Sequence, residues 1–200
     1  MLKMHNSTHS ALLLIDIQPK WYSQSHISKL FPKLPKNVSN LLKTCRQAPN
    51  IEVIHVRALY SETNDDIMNE NCSKWIANFE ELHPDKSVQI DGTQKVEPFA
   101  KEIEGEKLYL KPTFDAFFGT DLNLYLKTRN VQQILVAGLI TSACVQATAC
   151  SAFVRGYKVF LIEDCCGDRS IERHNAAVML YGNYMYHVLS SEDVLKQFKI

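Results

Sequence analysis

The stretch VQQILVAGLITSACVQATACSAFVRGYKVFLIED, residues 131–164, reads as strand, turn, helix and strand. VQQILVAG (131–138) and YKVFLIED (157–164) are short and apolar, the pattern of strands buried on both faces. Between them SACVQATACSAFVRG (142–156) has helical length and ends at Gly156, a residue suited to the position just past a helix. Two strands joined through a helix run parallel, with a right-handed crossover. Cys144 lies at the start of that helix, directly after the turn.

Working outward, the same alternation recurs. ALLLIDI (11–17), IEVIHVRAL (51–59) and EKLYLK (106–111) are further strands, and YMYHVLS (184–190) is a weaker sixth. Helices fit residues 35–48, TDLNLYLKTRN (120–130), IERHNAAVMLYG (171–182) and SEDVLKQF (191–198), the last opening on Ser191 with two acids behind it. The pattern predicts an α/β protein with a three-layer α/β/α, Rossmann-like fold around a central, mostly parallel six-stranded sheet. Residues 60–105 are polar and lack a clear period, with ENCSKWIANFEEL (70–82) as the best helix there. Long excursions of this kind are often functional. A single domain over residues 1–200 is expected.

Composition excludes several classes. Lys+Arg and Asp+Glu both number 22, so the net charge is zero and the basic surplus of a nucleic-acid binder is missing. No apolar run approaches the roughly 20 residues that span a bilayer. The first apolar run is short and broken by Asp16, unlike a signal-peptide core. The six cysteines are scattered and read as free thiols of a reducing, cytoplasmic setting rather than a disulfide framework. His55 and His83 are isolated and read as structural, so no metal and no cofactor are expected. Cys165-Cys166 is a poor redox pair, because adjacent cysteines make a strained disulfide.

In a parallel sheet, ligands bind beyond the carboxyl ends of the strands. Asp16 ends the first strand there, Lys111 the third, and the turn after the fourth carries Cys144. A carboxylate inside LLLIDI is costly unless paired, and Lys111 is the candidate partner. A thiol near a helix N-terminus and beside an ammonium has its thiolate favoured. An aspartate in reach can take the thiol proton and return it to a leaving nitrogen. The turn GLITSAC offers backbone N–H groups for an oxyanion. Taken singly, each residue has a plainer reading: Cys144 as a small core residue, Asp16 as a cap, Lys111 as a surface lysine.

LLLIDIQPKWY, LYLKPTFDAFFGTDLNLYLK, ILVAGLITSACVQATACSAFVRGYKVFLIEDCCGDRS and ERHNAAVML together resemble the isochorismatase-like cysteine hydrolases. That group includes nicotinamidases, N-carbamoylsarcosine amidase, ureidoacrylate and biuret hydrolases and isochorismatases. The resemblance runs from about Ala11 to the end, outside the 60–95 excursion. It implies an Asp16–Lys111–Cys144 triad, a cis peptide at Leu139–Ile140, and the Ile140 and Cys144 amides as oxyanion donors. It implies an amidohydrolase that cleaves an amide or ureido C–N bond through a Cys144 thioester. It also implies a homo-oligomer, dimer or tetramer. Trp21 matches a pocket aromatic of the family, and Phe117 a packing residue.

Two departures narrow this. The Asp-x-His pair that nicotinamidases carry after strand two is replaced here by VRALYSETNDD, and isochorismatases that cleave a vinyl ether lack the cysteine present as Cys144. The expected partner is a small-molecule amide or ureido substrate, not nucleic acid or membrane. Arg57 is either a ligand for a substrate carboxylate or a surface arginine. Trp21, Tyr22, Tyr60 and Phe114 are either pocket walls or core. Cys150 reads as core and His174 as a surface or helix-capping residue. A non-catalytic member that binds a small ligand or partner is the alternative.

Overall fold

In the computed structural model, which describes residues 8–59 and 95–198 and positions 74, 77, 78 and 81 between them, β1 (Ser10–Ile15) lies inside a six-stranded sheet. The other strands are β2 (Ile51–Ala58), β3 (Lys107–Lys111), β4 (Gln133–Leu139), β5 (Lys158–Gly167) and β6 (His187–Leu189). Their order across the sheet is β3-β2-β1-β4-β5-β6. Every neighbouring pair is parallel, so the sheet expected as mostly parallel is wholly so. The four positions described within 60–94, Lys74, Ala77, Asn78 and Glu81, are helical and exposed and fall inside the helix expected over 70–82.

The apolar run of β1 is explained by its two faces. Leu12 and Leu14 join Leu34, Val38, Leu41, Leu42 and Cys45 of helix α2 (Leu34–Gln47) and Val194 of helix α6 (Ser191–Phe198). Ala11, Leu13 and Ile15 join Leu122 and Leu126 of α3 (Leu122–Thr128) and Ala149 and Ala152 of α4 (Gln146–Val154). Side chains alternate along a strand, so a strand sandwiched between helix layers must be apolar throughout. Each fully buried leucine contributes on the order of 2 kcal/mol. Helix α5 (Ile171–Tyr181) follows β5, its Ser170 side chain accepting from Arg173 N. No helix among the described residues is long and apolar enough to cross a membrane.

Three local findings differ from the sequence reading. The helix expected from residue 142 begins as a π-helical turn, Thr141–Val145, before α4. There the N–H groups of Ala143 and Val145 both donate to the Ile140 carbonyl, at 3.0 and 3.2 Å. Strand β5 runs on to Gly167 because a register shift between Val136 and Gly138 lets pairing resume at Gly138 with Cys166 and Leu139 with Gly167. Short elements that carry no periodic signal also appear: 3₁₀ turns at Pro19–Trp21 and Pro98–Ala100, and the single-turn helix α1 (Ile27–Leu30).

Gly138 shows how tightly the site's frame is drawn. Its φ is +128°, and a Cβ there would stand 2.0 Å from the Ile15 carbonyl oxygen. That oxygen belongs to the strand next door, whose backbone has nowhere to retreat in a packed interior. Gly138→Ala is expected to cost more than about 3 kcal/mol, from backbone strain and overpacking together. Urea denaturation measures it, and an unchanged midpoint would contradict the account.

Candidate active site

The pairing register sets which way Lys111 points. It is the partner of Ala58 across β2 and β3, so both side chains share the face that Val56 shares with Ile15 and Cys144. Asp16 lies beyond the end of β1, where strict alternation would send its side chain to the opposite face, with Leu12 and Leu14. Its φ of +49° breaks the alternation. Aspartate is among the few residues that tolerate this left-handed region. The carboxylate thereby meets the lysine: Lys111 Nζ is 2.8 Å from Asp16 Oδ2 and donates to the Thr113 carbonyl at 2.9 Å. Lys111 is wholly buried and Asp16 nearly so.

Cys144 completes the cluster from the π-helical turn and is itself buried. Its thiol lies within the electrostatic influence of both Asp16 and Lys111. Burial pushes the thiol up to about 12; the Lys111 ammonium pulls it down while the Asp16 carboxylate raises it further. Burial also pulls Lys111 down, but Asp16 and Cys144 outweigh it and hold the ammonium above its ordinary value. The resting cluster at neutral pH is therefore a neutral thiol beside an Asp–Lys ion pair. This corrects the expectation of a thiolate favoured at rest. The carboxylate offsets the ammonium, and desolvation decides the balance.

The surrounding backbone is held by residues the sequence did not mark. Gln18 is buried; its Oε1 accepts from Ala58 N at 3.0 Å and its Nε2 reaches the Ala58 carbonyl at 3.5 Å. Its side chain thus ties the chain after Asp16 to the end of β2. Thr148 of α4 ties down the loop after Lys111: its hydroxyl accepts from Ala116 N at 3.1 Å and reaches the Phe114 carbonyl at 3.4 Å. On the far side of the turn, Asp168 Oδ2 accepts from Ser142 N at 2.6 Å. His174 Nδ1 is hydrogen-bonded to Thr141 Oγ1 at 2.9 Å. The Leu139–Ile140 peptide is cis.

Other expected site residues fall differently. Arg57 shares the opposite face of β2 from Val56 and is ion-paired through Nη2 to Glu102 Oε2, so its role as a substrate-carboxylate ligand is withdrawn. Tyr22 is core: it packs edge-on against Phe99 and its hydroxyl donates to the Phe31 carbonyl at 3.1 Å. Trp21 is half-buried against the cluster that includes Ile140, with Lys20 Nζ 5.1 Å from its ring centre. Phe114 packs on the cluster that includes Cys144. Phe117 is core, stacked on Tyr157. Tyr60 and His83 lie outside the described residues. His174, read as a surface or capping residue, instead bonds the turn that carries Cys144 and touches Phe31 edge-on at 5.1 Å. Cys150 is half-buried, and Cys45, Cys144, Cys150, Cys165 and Cys166 are free thiols.

Over residues 10–193 the chain matches the Isochorismatase domain model. The chain belongs to the isochorismatase family. Among its curated relatives is Nicotinamidase 3 of Arabidopsis thaliana, 29% identical over 180 residues that cover 87% of this chain and 81% of that protein. Maleamate amidohydrolase of Pseudomonas putida is 30% identical over 95 residues, 48% of this chain and 45% of that one. N-carbamoylsarcosine amidase from Thermoplasma acidophilum shares the fold at a TM-score of 0.70 with 18% identity, covering 92% of this chain and 98% of that structure. Those named relatives are hydrolases of C–N bonds, and this chain is an enzyme of the same family.

Two outcomes test the electrostatics. Lys111→Met leaves a buried, unpaired carboxylate and is expected to cost roughly 3–5 kcal/mol; adding Asp16→Asn should recover part of it. A single variant as stable as the parent in urea would contradict the ion pair. His55 and His174 both sit below the ordinary imidazole value, each chiefly through burial, which nearby carboxylates (Glu106 for His55, Asp168 for His174) only partly oppose. The unfolded chain then binds more protons than the folded one below about pH 6.5, so stability falls as pH drops through that value. Urea midpoints at pH 7.5 and 5.5 read this directly, and equal midpoints would refute it.

Proposed function

We propose that this protein is a cysteine amidohydrolase that cleaves an amide or ureido C–N bond of a small molecule. One observation carries the reading: Asp16 and Lys111, from the ends of β1 and β3, and Cys144, from the turn after β4, meet in one buried cluster with Lys111 Nζ 2.8 Å from Asp16 Oδ2. An acid–base group, a fixed cation and a sulfur nucleophile in that relation suit acyl transfer.

In this mechanism Asp16 takes the Cys144 proton as Sγ attacks the substrate carbonyl, so the thiolate exists only when an electrophile is present to receive it. The resting thiol, pushed up to about 12, fits such concerted activation. The Ile140 and Cys144 amides hold the oxyanion. Asp16 passes the proton to the nitrogen as the C–N bond breaks, leaving a thioester and a free amine or ammonia. Water then gives its proton to Asp16 and attacks the thioester, the C–S bond breaks, and Asp16 returns the proton to Cys144. Lys111 stays an ammonium throughout, steadying Asp16 and the transient thiolate. In this reading Phe114, packed on the cluster that includes Cys144, and Trp21, packed on the cluster that includes Ile140, border the substrate.

The resting thiol also suits a non-catalytic ligand binder, in which Cys144 is a neutral pocket residue. A screen of small amides, ureido acids and nicotinamide for ammonia release separates the two. For any substrate turned over, Cys144→Ala is expected to lose at least about 10³-fold in kcat while remaining folded. Turnover retained in that variant would sink the triad.

A further inference from the structure

The turn that carries Cys144 is not capped by its own sequence. Ile140, at its N-terminal edge, provides no side-chain hydrogen bond to it, and neither does Val145 at the start of α4. The missing partner comes from elsewhere in the chain. Leu139 pairs with Gly167 at the end of β5, which sets the next residue, Asp168, beside the turn. Asp168 is fully buried, and its two oxygens are divided: Oδ2 accepts from Ser142 N at 2.6 Å and Oδ1 from Arg169 N at 2.7 Å. The same segment then enters α5, where His174 bonds the buried Thr141 hydroxyl at 2.9 Å. His174 is braced in turn by its ring contact with Phe31.

Resting on the reading of Cys144 as nucleophile, we infer that Asp168 and His174 are positioning residues that set the attack geometry of Cys144 by gripping residues 142 and 141 of its turn. Neither is placed to touch the reacting atoms. The grip works because the two bonds approach the turn through different groups, one backbone N–H and one side-chain hydroxyl, on successive residues. Together with the closure of Ala143 and Val145 onto the Ile140 carbonyl, they leave the turn little freedom to rotate. A carboxylate at this end of the turn also matches the exposed N–H groups of a helix start. Covalent catalysis is sensitive to such placement, since a displacement of about 1 Å can cost about a hundredfold in rate.

The test uses p-nitrophenyl acetate, which acylates a poised thiol whatever the natural substrate. The Cys144 Sγ–C bond forms, the thiol proton passes to Asp16, and the ester C–O bond breaks to release p-nitrophenolate. Absorbance gives the rate constant at saturation and the half-saturating ester concentration, and peptide mass confirms acetylation at Cys144. Asp168→Asn, which retains one acceptor oxygen for two N–H groups, and His174→Phe are each expected to lower the saturating rate constant roughly ten- to hundredfold with half-saturation unchanged. His174→Asn, which keeps a polar atom near the Nδ1 position, should stay close to wild type. Should Asp168→Asn fail to fold, Thr141→Val, nearly isosteric, carries the same expectation. Folded variants acylated at the wild-type constant, or altered only in half-saturation, would overturn the positioning role alone. A wild-type protein that is not acylated at Cys144 overturns the nucleophile reading and the positioning role with it.

Discussion

The buried ion pair between Lys111 and Asp16 is the constraint around which the rest of this site is arranged. A lysine ammonium with no exposure to solvent is tolerable only with a close counter-charge and further acceptors. Here it has the Asp16 carboxylate at 2.8 Å and the Thr113 carbonyl at 2.9 Å. The two charges come from strands that are not neighbours, since β2 lies between β3 and β1. β2 ends opposite Lys111 in Ala58, whose small side chain leaves room for the lysine stem. Gln18 then satisfies the Ala58 backbone groups, so the crossing leaves neither of them bare. Topology, a small residue and one amide side chain together make the pair possible.

That pair also governs the state of Cys144. Lysine alone would draw the thiol towards ionisation, but the carboxylate opposes it and burial settles the matter. A neutral thiol beside a neutral pair of opposite charges is the cheapest arrangement of this set in a poorly solvated site. The same arrangement sets a carboxylate beside the sulfur. A thiol held protonated in this way is a weak nucleophile at rest. Charge balance in the resting site follows from these three side chains.

Much of this was legible from residue order. The six strands, the helices longer than a single turn and the polar residues at strand ends follow from apolar runs punctuated by Asp16, Lys111 and the GLITSAC turn. Such signals are local, so a linear reading finds them. The misreadings share a different cause. Arg57 looked available for a substrate because its counter-ion, Glu102, is 45 residues distant in the chain. For Tyr22 the choice between pocket wall and core stayed open because residue type alone does not reveal its bond to the Phe31 carbonyl. Gln18 and Asp168 drew no reading and His174 was read as a surface or capping residue, because their partners at Ala58, Ser142 and Thr141 are fixed only by tertiary packing.

The sequence by itself determined the layering and the chemical repertoire. Alternating apolar strands and amphipathic helices demand a sheet buried on both faces, and a parallel sheet gathers its strand-end residues at one edge. Which face each of those residues looks towards was decided only in three dimensions. The positive φ of Asp16, the pairing of Lys111 with Ala58 and the π-helical turn after β4 bring the three groups together. Side-chain direction flips with each step of register, so a pattern of residue types can place a group at an edge without fixing its partner. Charge state belongs to the tertiary structure for a related reason: desolvation and counter-charge depend on what surrounds a group, and in Cys144 they reverse what helix position and a neighbouring lysine alone suggest.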